Sequence, residues 1–425
     1  MSKPATRNQH APLHVQPNVI TALMVLVFLA MLFIGVFNYP QYGLSTDEEA
    51  CHYRALVNVN YLSTLVGHDI IDEPVPDFAD YPDKDHGVIF DLVAFGFERI
   101  LNLEDSSDVF IFKHLLNYLV FWLSLIALYF MVKRRFHSPL YGLVAVLFLF
   151  LSPRFFADAF YNAKDLIFMA FFLMAMNSAT AYLNKPSWLR ALLMAGFTAL
   201  AIATRVMGIV LLPSVFLIVL LKAFREKAKR QSLLGQLGLT TLTTTLLTVL
   251  FWPMLWSDPI RNFTAAFSSL SQFIRWEKNV LLMGKFYLST DLSWFFVPIW
   301  IGVTTPLLYL ALFFTGLLSQ IKQLLFNLKL KIWQTDESLQ DTFFLILFFG
   351  PIFSVIVLNS VLYDGWRQMY FIYPAFLMIA LSGLHAVFQY TRQTQFKKKP
   401  RSAKSLRAAL IAIILLSLTS TAVWM

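Results

Sequence analysis

The sequence predicts an all-α, polytopic membrane protein of about 11 transmembrane helices, with a long outer loop after the first helix. Three observations carry this. Of 425 residues, 58% are hydrophobic and only 14% charged, with 42 Phe and a mean hydropathy of +0.62, far from the usage of soluble domains. The apolar residues gather in stretches of roughly 20, the length that crosses a hydrocarbon core of about 30 Å. The Lys and Arg behind the net charge of +9 sit in short runs between those stretches, the pattern of cytoplasmic loops and not of a nucleic-acid-binding face.

The elements follow in order. Residues 1–18 read as a cytoplasmic N-terminus and 19–424 as one transmembrane domain. The run from Val19 to Phe37 is too long for a signal-peptide core, and Asn38, Tyr39 and Pro40 follow it instead of a small-residue cleavage site, so it is a retained first span. The further spans are expected at 112–132, 138–152, 165–183, 190–204, 206–222, 233–252, 295–320, 342–361, 369–390 and 407–424, after a first span at 19–38. With that threading Lys133-Arg134-Arg135, Lys185 with Arg190, Lys222 to Arg230, Lys322 to Lys331 and Lys397 to Arg407 all fall on one side. Basic loops stay in the cytoplasm, which puts the N-terminus inside. The segment from Arg190 to Lys222 is basic at both ends, and as one helix it would be about 50 Å long. It therefore folds back, with Thr204-Arg205 at the outer tip of a hairpin, which spares the roughly 2.5 kcal/mol or more that Arg costs at the bilayer centre.

The outer face carries the opposite charge. Between Gln41 and Phe112 stand 15 Asp or Glu against Arg54, Lys84 and Arg99, and loops this long are usually functional. This loop is bounded at 39–111. A second outer loop, 253–294, is rich in Trp and Phe and is expected to lie along the interface as an aromatic shelf. A single cysteine, Cys51, excludes an intramolecular disulfide and a cysteine metal cluster.

The candidate chemistry lies on that outer face. Thr46 with Glu49 fits a capping box, and Asp47, Glu48 and Glu49 occupy a first helical turn where the macrodipole favours carboxylates. They could serve only as a cap, but ionisable groups at membrane level are rarely idle, and an ionised carboxylate suits a general base. The link from Ser152 to Asp165 holds Arg154, Asp158, Lys164 and Asp165. Lys164 beside Asp165 could be an interfacial ion pair, yet the two outer loops bring carboxylates to one membrane face. Arg205, Arg367 and either Lys285 or Arg275 complete a basic ring. Each could hold a lipid headgroup, and the arginine fork suits any phosphate. His52, His68 and His86 could join carboxylates around a divalent cation, but no paired metal spacing, nucleophile elbow or phosphate-binding glycine loop is present.

These residues fall in short motifs: Thr46-Asp47-Glu48; Asp85-His86-Gly87-Val88-Ile89-Phe90-Asp91; Ser152-Pro153-Arg154-Phe155-Phe156 leading to Asn162-Ala163-Lys164-Asp165; Ala203-Thr204-Arg205; Trp252-Pro253-Met254-Leu255-Trp256; and Asp364-Gly365-Trp366-Arg367 with Tyr370 and Tyr373-Pro374. In this order the set resembles the polyprenyl-phosphate-dependent membrane glycosyltransferases of the GT-C fold, close to the protein O-mannosyltransferase and aminoarabinose transferase families, over about residues 20 to 390. The resemblance implies a GT-C-like bundle, a polyprenyl-phosphate sugar donor, a protein, lipid or glycan acceptor, and inversion at the anomeric carbon. It implies Asp47 or Glu48 as general base and Asp165 as an acid that positions substrate or a metal. Lys164, Asn162, Tyr161, Arg205, Arg367, His86 and Lys285 then become substrate contacts, and the location a bacterial inner membrane with the site facing outward. The chain departs from some relatives in ending at Met425, where they continue into a C-terminal outer domain. The alternative is a transporter or flippase of a lipid-linked glycan. Such proteins place polar groups near the bilayer midplane, often in repeated halves, whereas here the charges sit at the outer rim and no internal repeat is evident.

Overall fold

The structure, a computed structural model, describes residues 17–71, 73–330, 335–391 and 400–423. Most of the expected cytoplasmic N-terminus, Lys331 and the basic residues Lys397 to Lys399 lie outside the described residues. The fold is nearly all helix. Among the described residues nine helices are long and apolar enough to cross a membrane, or ten if one bent pair is a single span, close to the expected number. The protein is a multi-pass integral membrane protein.

The first helix, α1 (Pro17–Asn38), leads to the acidic loop expected to face outward, which folds into α2 (Thr46–Val66) and α3 (Ile89–Ile100). Next, α4 (Ser106–Phe136) begins well before the expected span, capped by Asp105, whose carboxylate accepts the Ser107 N–H at 2.7 Å. Then come α5 (Pro139–Phe150) and α6 (Pro153–Tyr161), bent by 69° at Leu151-Ser152. Pro153 disfavours a helical conformation in the residue before it, and Ser152 is extended (φ −78°, ψ 111°). The central helix α7 (Asp165–Asn184) is buried along most of its length. The expected hairpin is present as α8 (Trp188–Ile202), a tight turn over Val206–Val210, and α9 (Leu211–Arg225).

After α10 (Arg230–Phe251), the segment expected as an aromatic shelf contains a helix, α11 (Pro259–Gln272), and a two-stranded hairpin absent from the sequence-based expectation, β1 (Asn279–Leu282) and β2 (Lys285–Leu288). Its two-residue turn has Met283 at φ 49° and Gly284 at φ 79°, the pair of positive φ values that matches strand twist. The single span expected at 295–320 is in fact two helices, α12 (Phe296–Thr304) and α13 (Leu307–Leu330). Pro306 is the cause: it holds Thr305 extended (φ −107°, ψ 135°) and breaks the helix there. The chain ends in α14 (Asp336–Val357), α15 (Tyr373–Tyr390) and α16 (Pro400–Val423). Helices α13 and α15 cross closely because Gly316 and Gly383 face each other: a Cβ on Gly316 would lie 1.9 Å from the Ile379 carbonyl oxygen, the small-residue contact favoured between membrane helices.

The polar residues divide between the two ends of the bundle. At the basic end Arg135 forks onto Asp341 at 2.8 and 2.7 Å, and Lys222 donates to the Leu183 carbonyl at 2.7 Å. At the other end lie the first turns of α2 and α7.

Candidate active site

Helix α2 starts one residue earlier than the expected capping box. The pair is Ser45 with Glu48, not Thr46 with Glu49: the Glu48 carboxylate accepts the Ser45 N–H at 2.8 Å. Its other oxygen lies 2.8 Å from His114 Nε2 on α4, and Glu48 is only 2% exposed. Adjacent residues on a helix point about 100° apart, so Asp47 faces elsewhere. Its side chain is 47% exposed and accepts a hydrogen bond from Arg367 Nη1.

The same Arg367 nitrogen lies 3.1 Å from Asp165 Oδ2. Asp165 opens α7, its N–H held by Asn162 Oδ1 at 2.8 Å, and its carboxylate is wholly buried. The remaining oxygen, Oδ1, pairs with Arg205 Nη2 from the hairpin tip. The result is one alternating chain, Asp47–Arg367–Asp165–Arg205, contributed by four separate segments.

Local folding explains why Arg367 arrives there. Asp364 (φ 53°) and Gly365 (φ 75°) form a left-handed turn. Arg154 of α6 clamps it, donating Nη2 to the Asp364 carbonyl at 2.9 Å and Nε to the Tyr370 hydroxyl. Trp366 is buried against Phe155, Tyr370 and Tyr373, and its Nε1 donates to Thr304 at 3.0 Å. Arg367 is thereby directed over the Tyr363 ring (5.1 Å) and toward Asp364 Oδ2 (3.1 Å) as well.

Beside this chain lies a cavity of about 70 Å³ lined by His86, Lys164, Thr204, Arg205, Tyr363 and Gln368, among others. His86 reaches it because Gly87 packs directly on the Ala203 carbonyl, where a Cβ would sit 2.2 Å from the oxygen.

Residues 96–253 match the family model of dolichyl-phosphate-mannose-protein mannosyltransferases. That family is of the GT-C type of membrane glycosyltransferases, and the matched segment is similar to it. No curated protein matches the chain. The match runs from the end of α3 through α10 and includes Lys164, Asp165 and Arg205, whereas Asp47 and Arg367 lie on either side of it. It implies a glycosyltransferase that uses a polyprenyl-phosphate-linked sugar.

The electrostatics of this candidate site are set by its cations. Burial works to raise the Asp47 carboxyl, but Arg367, with Lys164 and Arg205, outweighs it and holds Asp47 below the usual carboxylate range. Burial, then Arg54 and Arg205, bring the Lys164 amine down to about 7. Burial, with Lys164 next, holds the His86 imidazole well below the ordinary histidine range, so it is neutral at pH 7.

The other expected residues are scattered. Tyr161 ends α6, half-buried, with its ring 6.0 Å from Tyr42. Lys285 is exposed on β2, and no described contact joins it to the Asp47–Asp165 chain. Its partner on the shelf, Arg275, instead locks the first outer loop: Nη2 lies 2.7 Å from Asp85, 3.3 Å from Asp83 and 3.4 Å from His86 Nδ1. Asp83, Asp85 and His86 form the one group of metal-ligand type among the described residues, their ligand atoms within 4.8 Å of one another. With the Arg275 guanidinium inserted among them, the donor set does not fit a divalent cation. His52 is engaged by Lys113 at 2.5 Å, and His68 is exposed. Gln368 went unnoticed in the sequence, where a lone amide after an arginine carries no signal.

Proposed function

We propose that the protein transfers a sugar from a polyprenyl-phosphate-linked donor to a hydroxyl or amine acceptor on the extracytoplasmic face of the membrane, with inversion and with Asp47 as general base. One observation carries this: a single arginine, Arg367, ties the carboxylate of the first outer loop to the buried Asp165 of the second, with Arg205 on the far oxygen. Arginine forks are matched to phosphate; Arg205 lines a cavity with Lys164, Arg367 shares Asp165 with it, and the three cations support a site for a lipid-phosphate leaving group.

The chemistry then runs as a single displacement. The acceptor oxygen or nitrogen attacks the anomeric carbon, the bond from that carbon to the phosphate oxygen breaks, and the acceptor proton passes to Asp47. The polyprenyl phosphate leaves with the electron pair, its charge held by Arg205 and Arg367. Without donor, Arg367 keeps Asp47 ionised and therefore ready to accept a proton. A donor phosphate that draws on Arg367 weakens that hold and raises the basicity of Asp47 at the moment it is needed. Glu48, occupied by the helix cap and His114, supports the fold of this turn. The basic end of the bundle supports the orientation, since basic loops stay in the cytoplasm and the Asp47 end then faces outward.

The test is sugar transfer by purified Asp47→Asn and Glu48→Gln proteins. General-base catalysis is worth about 10²–10⁴-fold, so Asp47→Asn should lose that much turnover while its melting behaviour in detergent is nearly unchanged. Wild-type turnover in a well-folded Asp47→Asn protein would sink the assignment.

A further inference from the structure

We infer that Gln368 is the residue that recognises the sugar of the donor, through paired hydrogen bonds to neighbouring hydroxyls; the inference rests on the transferase function proposed above. The observation is a polar group with nothing to bind. Gln368 follows Arg367 in the short 3₁₀ turn Arg367–Ile372 and lines the same cavity as His86, Lys164 and Arg205. Both its Nε2 and its Oε1 are buried, and neither has a hydrogen-bond partner among the described residues. Buried polar side chains are rarely left so, and each unmade bond carries a desolvation penalty.

The neighbours decide what the missing partner is. An amide needs a donor and an acceptor together. A phosphate offers only acceptors and would leave Oε1 bare. A cation would satisfy Oε1 but would be repelled by Lys164 and Arg205. A hydroxyl both donates and accepts, and two hydroxyls on adjacent ring carbons match an amide with one bond each way. The cavity also separates the two halves of the donor. Arg205 and Lys164 carry the charge that suits phosphate, and Arg205 Nε is itself buried and unpartnered. Gln368 lines the same cavity, is uncharged, and has both ends of its amide open to a ligand. The phosphate is thus read by the arginines and the sugar by the amide.

The test compares binding of bare polyprenyl phosphate with polyprenyl-phosphate mannose, glucose and galactose, using the full chain in detergent and its Gln368→Leu and Gln368→Met variants. Both variants remove two unsatisfied buried atoms, so they should fold at least as well as wild type. Wild type should bind one sugar-bearing lipid at least tenfold more tightly than the bare phosphate. In the variants that preference should fall by about ten- to a hundredfold, two hydrogen bonds' worth, while affinity for bare polyprenyl phosphate stays within about twofold. Retention of the sugar preference in either variant overturns the role of Gln368 and leaves the transferase function standing. Equal binding of bare and sugar-bearing lipids by wild type also overturns it. Failure of wild type to bind any of the four lipids removes the lipid-phosphate donor itself, and the inference with it.

Discussion

Arginine 367 gives the sharpest stability test, because it is the only described cation that touches three carboxylates, Asp47, Asp165 and Asp364. Removing one partner of a buried ion pair typically costs about 3–5 kcal/mol, since the other charge is stranded. Here two features reduce that figure. Asp47 and Asp364 are 47% and 63% exposed and can turn to water, and Asp165 keeps Arg205. Arg367→Met should therefore destabilise by about 2–3 kcal/mol. The stranded charge is chiefly Asp165, whose side chain is wholly buried. Asp165→Asn added to Arg367→Met should then recover more stability than Asp47→Asn added to it, with a coupling of about 1–2 kcal/mol. The assay is unfolding of the six proteins (wild type, the three single variants and the two double variants) in detergent, followed by tryptophan fluorescence. Wild-type stability in Arg367→Met, or an Asp165→Asn penalty that simply adds, would refute the account of a shared counter-ion.

Three further outcomes are expected. Lys164 gains its proton below about pH 7, so if it contacts the donor phosphate, affinity for polyprenyl phosphate should be highest below pH 7 and fall as pH rises through it, and Lys164→Met should flatten that profile. Gly87→Ala must push its methyl off the Ala203 carbonyl, which should cost about 1–3 kcal/mol and weaken donor binding by shifting His86, measured by melting and lipid titration on one preparation. A cysteine at Asp80 should react with an impermeant thiol reagent in intact cells and one at Lys229 should not; labelling at Lys229 would reverse the orientation.

Periodicity and charge made the membrane class and most spans legible, because lipid leaves the backbone few choices. The hairpin tip at Arg205 could be placed from its basic flanks alone. The break at Thr305-Pro306 was missed because the apolar run continues through it, and hydropathy does not register a backbone constraint. The cap on α2 was misplaced by one residue, since Ser45 and Thr46 are both good N-caps and only tertiary contact with His114 favours the register with Glu48 inside. Asp47, Asp165, Arg205 and Arg367 could each be singled out, but not their connection. That depends on a left-handed turn at Asp364-Gly365 and its clamp by Arg154, both set by packing across 210 positions of sequence.

The two ends of the bundle offer an internal comparison. Arg135 and Asp341 form a bidentate pair whose buried polar atoms all find partners. Such a pair completes itself and can serve as a structural lock. The Asp47–Arg205 chain has four charges to that pair's two but is not complete: among the described residues Arg205 Nε, Arg367 Nε and both ends of the Gln368 amide are buried without hydrogen-bond partners, and Asp165 Oδ1 has only its ion pair with Arg205. Buried ion pairs are seldom net stabilising against apolar replacements, so an incompletely bonded set is a poor device for holding helices together. Its surplus is of hydrogen-bond donors and acceptors both, and through Arg205 and Gln368 it borders a cavity. An anion with additional hydroxyls would satisfy that surplus, which is the chemical description of a sugar carried on a phosphate.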